Sequence, residues 1–231
     1  MPVWDDFLSE NDKKMLANRT PRQKPHAQFG ERSAVLVIDM NKGAIGPDRP
    51  VHEIVSEMPG AMGENAWAAI RHMEDLLPKA RAAGIPVIYS KHFFKETTGL
   101  AMSNASSPYS ELNPLSEIQD EIAMQPGDML VEKQQASVFG QTGLINLLMN
   151  KKIDNLIVTG NSTSGCVHAT TVDAGGYQIK VSIVEEAVFD RFDLSHAAAL
   201  FNMGSKYADI VSIGEVFEYI ASVKDGQRQP E

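Results

Sequence analysis

From residue 33 onward, short runs of aliphatic and β-branched residues alternate with longer stretches of helical periodicity. That alternation restricts the fold more than any other feature. The apolar runs are 33–39 (SAVLVID), 85–90 (IPVIYS), 129–133 (MLVEK), 155–160 (NLIVTG), 179–187 (IKVSIVEEA) and 209–213 (DIVSI). A continuous run such as SAVLVI reads as a strand buried on both faces. Between the runs, Ile70, Met73, Leu77 and Ala80 recur at helical spacing within 61–83. Further helices are expected over 143–150, 166–175, 195–205 and 214–223, and a short one near 115–122. Connections of this length and character join parallel strands. The expectation is an α/β fold: a single three-layer domain whose six-stranded, mostly parallel sheet carries helices on both faces. In such sheets ligands bind beyond the carboxyl ends of the strands.

Residues 1–30 have a different character. They are polar, and Pro21 and Pro25 break the second half. They read as an N-terminal arm, with a short helix over 5–18 presenting Trp4, Phe7, Leu8 and Met15, ahead of a domain covering 31–231. The chain carries 21 Lys and Arg against 30 Asp and Glu, a net charge of −9, with no basic run. Such a balance argues against nucleic acid or an anionic membrane as a partner held by net charge. No apolar stretch approaches the ~20 residues of a membrane span. The polar N-terminus does not resemble a secretory leader. With one cysteine in 231 residues, an intrachain disulfide is impossible and a cytoplasmic setting is expected.

Three reactive side chains fall at or just beyond predicted strand ends. Asp39 closes the first strand, Lys133 the third, and Cys166 follows the fourth at the expected start of a helix. A free thiol is mostly protonated at neutral pH; a helix N-terminus and a nearby ammonium both favour its thiolate. A carboxylate between them can accept the thiol proton and pass it to a leaving amine. Each residue taken alone has a plainer reading: Asp39 as a turn residue, Lys133 as a solvated strand end, Cys166 as a small core residue. The hydroxyl-rich loop before Cys166 can present backbone N–H groups to an oxyanion, or cap the helix through Ser162, Thr163 or Ser164.

The segments VEKQQASVFGQTGL (131–144) and TGNSTSGCVHATTVDA (159–174), with the strand ending in Asp39, resemble the isochorismatase-like cysteine hydrolases. The pattern D-R-x-x-x-x-H-x-x-x-L-F-x-x-x-x-K-Y-A-D (190–209) and the spacing of 33 residues between Lys133 and Cys166 resemble the N-carbamoylsarcosine amidase and maleamate amidohydrolase branch. The likeness runs over about residues 30–223. It implies a Rossmann-like strand order and a catalytic triad of Asp39, Lys133 and Cys166. It also implies a cis peptide at Asn161–Ser162, an oxyanion hole made by the N–H groups of Ser162 and Cys166, and a substrate-carboxylate site at Arg191. An Arg fork suits a carboxylate; the plainer reading of Arg191 is an ion pair with Asp190 or Asp193. The implied activity is hydrolysis of a linear amide or carbamoyl C–N bond in a small molecule, without a cofactor, in a homo-oligomer (dimer or tetramer).

The likeness is not complete. Asp39 opens the stretch D-M-N-K-G-A-I-G-P (39–47), without the aromatic residue common in the superfamily. His92 stands alone near the second strand end, where the metal-binding branch carries an Asp/His set, so no metal is expected. His168 and His196 read as packing or interface residues. The loops 41–60 and 91–125 are expected to wall the pocket. Two other readings stay open: an isochorismatase-type hydrolase of an enol ether, and a non-catalytic binding protein on the same fold.

Overall fold

A computed structural model describes residues 2–18, 29–92 and 114–226. Its sheet has six strands: β1 (Ser33–Ile38), β2 (Val87–His92), β3 (Met129–Lys133), β4 (Asn155–Asn161), β5 (Lys180–Phe189) and β6 (Asp209–Val211). The order across the sheet is β3-β2-β1-β4-β5-β6, and every pairing is parallel. The expected α/β architecture is therefore present, with all strands parallel. The chain reverses its direction of travel across the sheet between β1 and β4, which makes their carboxyl ends the switch point where a crevice opens.

Side chains of β1 alternate between two cores. Val35 and Val37 pack with Ala66, Ile70, Met73 and Leu77 of α4 (Gly63–Ala82) and with Val216 and Ile220 of α8 (Ile213–Gly226). Ala34, Leu36 and Ile38 pack on the other face. They meet Leu144 and Leu148 of α5 (Leu144–Asn150), Ala174 of α6 (His168–Gly176), and Leu200 and Met203 of α7 (Asp193–Lys206). Strand alternation thus sends one run of six residues, all buried, into both outer layers. Each fully buried aliphatic side chain contributes about 1.5–3 kcal/mol, enough to fix the register of the central strand.

The segment expected to be a helix over 115–122 is instead two 3-10 turns, Pro114–Ser116 and Asp120–Ile122, separated by an extended Gln119. Its backbone is engaged elsewhere. Gln119 N–H donates to the Met40 carbonyl (3.0 Å), and Lys42 N–H donates to that of Glu117 (2.9 Å). This antiparallel bridge fastens the chain just beyond Asp39. The next stretch forms two single-turn helices, α2 (Lys42–Ile45) and α3 (Val51–Ile54).

The N-terminal arm also departs from expectation. A 3-10 turn (Asp5–Phe7) precedes α1 (Glu10–Asn18), because Ser9 starts a new helix. Its Oγ accepts the Asp12 N–H (3.2 Å), while the Asp12 carboxylate accepts the Ser9 N–H (3.0 Å), a reciprocal cap. Trp4 packs edge-on against Phe201 at 6.1 Å between centroids. Phe7 and Met15 are exposed, and α1 buries nothing among the described residues. No helix among the described residues is long and apolar enough to cross a membrane.

Candidate active site

Asp39 is the first residue after β1 and has a positive φ of 52°, a conformation Asp tolerates better than most residues. The turn is held on three sides. Asp39 N–H donates to the Ser90 carbonyl (3.1 Å), and the Asn161 side-chain amide donates to the Asp39 carbonyl (2.6 Å). The Ser90 hydroxyl donates to carboxylate Oδ1 (2.8 Å). Oδ2 lies 2.6 Å from Lys133 Nζ, and this ion pair is almost wholly enclosed, with Asp39 6% and Lys133 1% exposed. The ammonium also donates to the Gln135 carbonyl (3.1 Å) and contacts Cys166 Sγ at 3.4 Å. Its three N–H donors thus have a carboxylate, a carbonyl and a sulfur to meet.

Cys166 is partly exposed. It lies not at the first turn of an α-helix but in a wider π-type turn, Thr163–Val167, that runs into α6. The Asn161–Ser162 peptide is cis. The Ser162 carbonyl accepts the N–H groups on either side of Cys166, those of Gly165 (2.9 Å) and Val167 (3.2 Å), and not that of Cys166. The Ser162 N–H meets no acceptor among the described residues. His196 anchors this turn from α7, its Nδ1 2.8 Å from Thr163 Oγ1, and burial lowers its pKa. His168 packs edge-on against Tyr207.

The electrostatics reverse one expectation. Burial first, then the Asp39 charge, push the Cys166 thiol up to about 12, outweighing the Lys133 ammonium. The sequence pointed to a helix start and an ammonium that both favour the thiolate. In the folded site Lys133 is already matched by Asp39, so little positive potential is left for the sulfur. Burial works most strongly against the Lys133 ammonium too, but Asp39 and Cys166 together outweigh it and the Lys133 pKa is raised. His92, opposite Lys133 in the β2–β3 register, is lowered by burial and by that ammonium. A thiol with a raised pKa thus sits beside a carboxylate–ammonium pair: a candidate nucleophile with an acceptor for its proton in contact.

Arg191, two residues past the end of β5, makes no ion pair with Asp190 or Asp193 among the described residues. Its Nη2 donates to the Gly60 carbonyl (3.0 Å). Its Nε is buried without a hydrogen-bond partner among the described residues. With Val51, His52, Asn65 and Phe192 it lines a cleft of about 400 Å³. Val51, His52 and Val55 of the 41–60 loop thus face this cleft, which none of Asp39, Lys133 and Cys166 lines; residues 93–113 lie outside the described residues. No group of three or more His, Cys, Asp and Glu side chains among the described residues is placed to hold a metal ion.

The structure brings Asp39, Lys133 and Cys166 together. Sequence reasoning gave no role to Ser90, saw Asn161 only in the cis peptide and Asp190 only as an ion-pair partner of Arg191, whereas their side chains hold the turns around these residues. Ser90 and Asn161 were detectable as polar residues ending otherwise apolar strands.

Residues 33–215 match the family described as the Isochorismatase domain. The chain is 33% identical over 190 residues to the maleamate amidohydrolase of Pseudomonas putida, an alignment covering 80% of this chain and 84% of that one. It is 28% identical over 201 residues to the N-carbamoylsarcosine amidase of an Arthrobacter species, covering 83% and 72%. Among solved structures, a cysteine hydrolase from Pseudomonas syringae pv. phaseolicola shares the fold, with a TM-score of 0.75 at 22% identity over 87% of this chain and 99% of that one.

Proposed function

The chain belongs to the isochorismatase family, and from that premise we propose that it is a cysteine amidohydrolase acting on a small carbamoyl or half-amide carboxylate. The observation that carries the reading is the Lys133 ammonium held between Asp39 Oδ2 (2.6 Å) and Cys166 Sγ (3.4 Å). Asp39 takes the thiol proton as sulfur attacks the amide carbonyl, and Lys133 stabilises the negative charge passing through sulfur. The Ser162 and Cys166 N–H groups receive the oxyanion. The C–N bond breaks as Asp39 returns the proton to nitrogen, releasing ammonia and leaving a thioester on Cys166. Water then attacks the thioester, giving a proton to Asp39. The C–S bond breaks, the acid departs, and Asp39 reprotonates the sulfur. One water is consumed and one ammonia released per turnover.

Arg191, with a buried Nε that has no partner among the described residues, supplies the carboxylate subsite. The functions of the named relatives support an N-carbamoyl amino acid or a maleamate-like half-amide as substrate. A panel of both classes, scored by ammonia release, tests this. Cys166→Ala should lose about a thousandfold or more in kcat on any true substrate, and intact-mass analysis of the wild type should trap an acylated Cys166. Wild-type ammonia release by Cys166→Ala would overturn the mechanism.

A further inference from the structure

Asp190 takes no part in the chemistry above, yet it is buried and its carboxylate is fully engaged. Oδ2 accepts the N–H (2.8 Å) and the hydroxyl (2.7 Å) of Ser164, two residues before the nucleophile. Oδ1 accepts the Arg191 N–H (2.8 Å). The Asp190 carbonyl accepts the side-chain amide of Asn65 (3.0 Å), which lines the same cleft as Arg191. One planar group thus holds the turn bearing Cys166 with one oxygen and the root of Arg191 with the other. Backbone pairing alone does not do this: the β4–β5 ladder ends at Asn161 and Phe189, before either segment.

We propose that Asp190 is a positioning residue that fixes the distance between the oxyanion turn and the Arg191 guanidinium. It thereby selects substrates whose scissile carbonyl and carboxylate lie at one set separation. The proposal rests on Arg191 as the carboxylate subsite. Its physical basis is that three donors converge on two acceptor oxygens of a rigid carboxylate. In Asp190→Asn one oxygen becomes an NH2 donor, which faces an N–H and cannot bind it. In Asp190→Glu the charge stays, but the carboxylate moves by one methylene.

Cys166 is the only thiol in the chain, so its alkylation, driven with excess reagent at about pH 9 to supply thiolate, can be followed by mass without substrate. Iodoacetamide and iodoacetate attack the same sulfur and differ in one carboxylate. The readout is the rate ratio of iodoacetate to iodoacetamide, measured on variants whose fold is checked by circular dichroism. Arg191→Met should lower the ratio about tenfold, the equivalent of one charge-assisted contact. Asp190→Asn removes a negative charge, so simple electrostatics would raise the ratio; positioning predicts that it falls, by up to the same factor. Asp190→Glu should lower it as well, although its charge is unchanged, and it decides the matter if the Asn variant does not fold. Ser164→Ala keeps the Ser164 N–H contact and should stay within about twofold of wild type. A ratio that falls for Arg191→Met but is unchanged or raised for the Asp190 variants overturns the role of Asp190 alone. An unchanged ratio for Arg191→Met overturns the Arg191 reading, and this proposal with it.

Discussion

Lys133 reaches across a whole strand to meet its partner. It sits on β3, while Asp39 follows β1, with β2 between them. Neighbouring strands lie about 4.8 Å apart, so the ammonium must cross nearly twice that distance over the end of β2. A long unbranched side chain makes this possible. Ser90, paired in register with Ile38, binds through its hydroxyl the Asp39 oxygen that Lys133 leaves free. Removing the ammonium leaves a buried carboxylate without its counter-charge. Lys133→Met, close in length, is therefore expected to cost about 3–5 kcal/mol of stability and to lower kcat by about a hundredfold or more, checked by urea denaturation and by ammonia release. The convergence of Asp39, Lys133 and Cys166 was legible because each closes or follows a strand, where topology predicts convergence. The hold of Asp190 on the Ser164 turn was not, because it exists only as hydrogen bonds between segments distant in sequence.

The end of β4 shows what a single element must concede to build such a site. At Gly160 φ is +100°, and a Cβ there would overlap the Ile38 carbonyl and amide of the neighbouring strand. Glycine lets β4 stay against β1 while its backbone turns out toward Asn161 and the nucleophile turn. Gly160→Ala must adopt a strained φ and push two central strands apart. A loss on the order of 3 kcal/mol or more is expected, readable as a lowered urea midpoint, with activity falling even in the folded fraction. All six strands were readable as elements, because apolar runs buried on both faces leave a clear pattern; their ends differ by one or two residues. The 115–122 segment was misread for a physical reason. Its local pattern suits a helix, but backbone pairing of 117–119 with 40–42, invisible in sequence, takes the hydrogen bonds a helix would need.

Across the whole molecule, the switch point between β1 and β4 gathers the reactive groups on one edge, and their burial ties stability to pH. Cys166, ordinarily near 9.0, and Tyr89, ordinarily near 10.0, are both pushed up to about 12, chiefly by burial. The Lys133 pKa is raised from 10.5, where Asp39 and Cys166 together outweigh burial. Groups with raised folded pKa values stabilise fully below their unfolded pKa and lose that contribution as pH climbs through the folded one. All three therefore act in one direction. The urea midpoint should hold up to about pH 9 and then fall steadily toward pH 12, and Cys166→Ala should delay the onset of that fall. A midpoint unchanged to pH 11 in the wild type would contradict the enclosed site. Layering and strand order follow from patterns the sequence displays. The docking of the N-terminal arm does not, since it rests on Trp4 against Phe201 and on the Val3 N–H at the Glu185 carboxylate, while Phe7 and Met15 of its expected apolar face stay in solvent.

The raised pKa of Cys166 has a consequence for the protein's survival. Peroxides and disulfides react with thiolates and hardly at all with thiols. On the mechanism proposed above, a sulfur that keeps its proton until Asp39 takes it reacts slowly with oxidants between turnovers. The same partnership would then slow the irreversible steps of oxidation at the chain's one thiol.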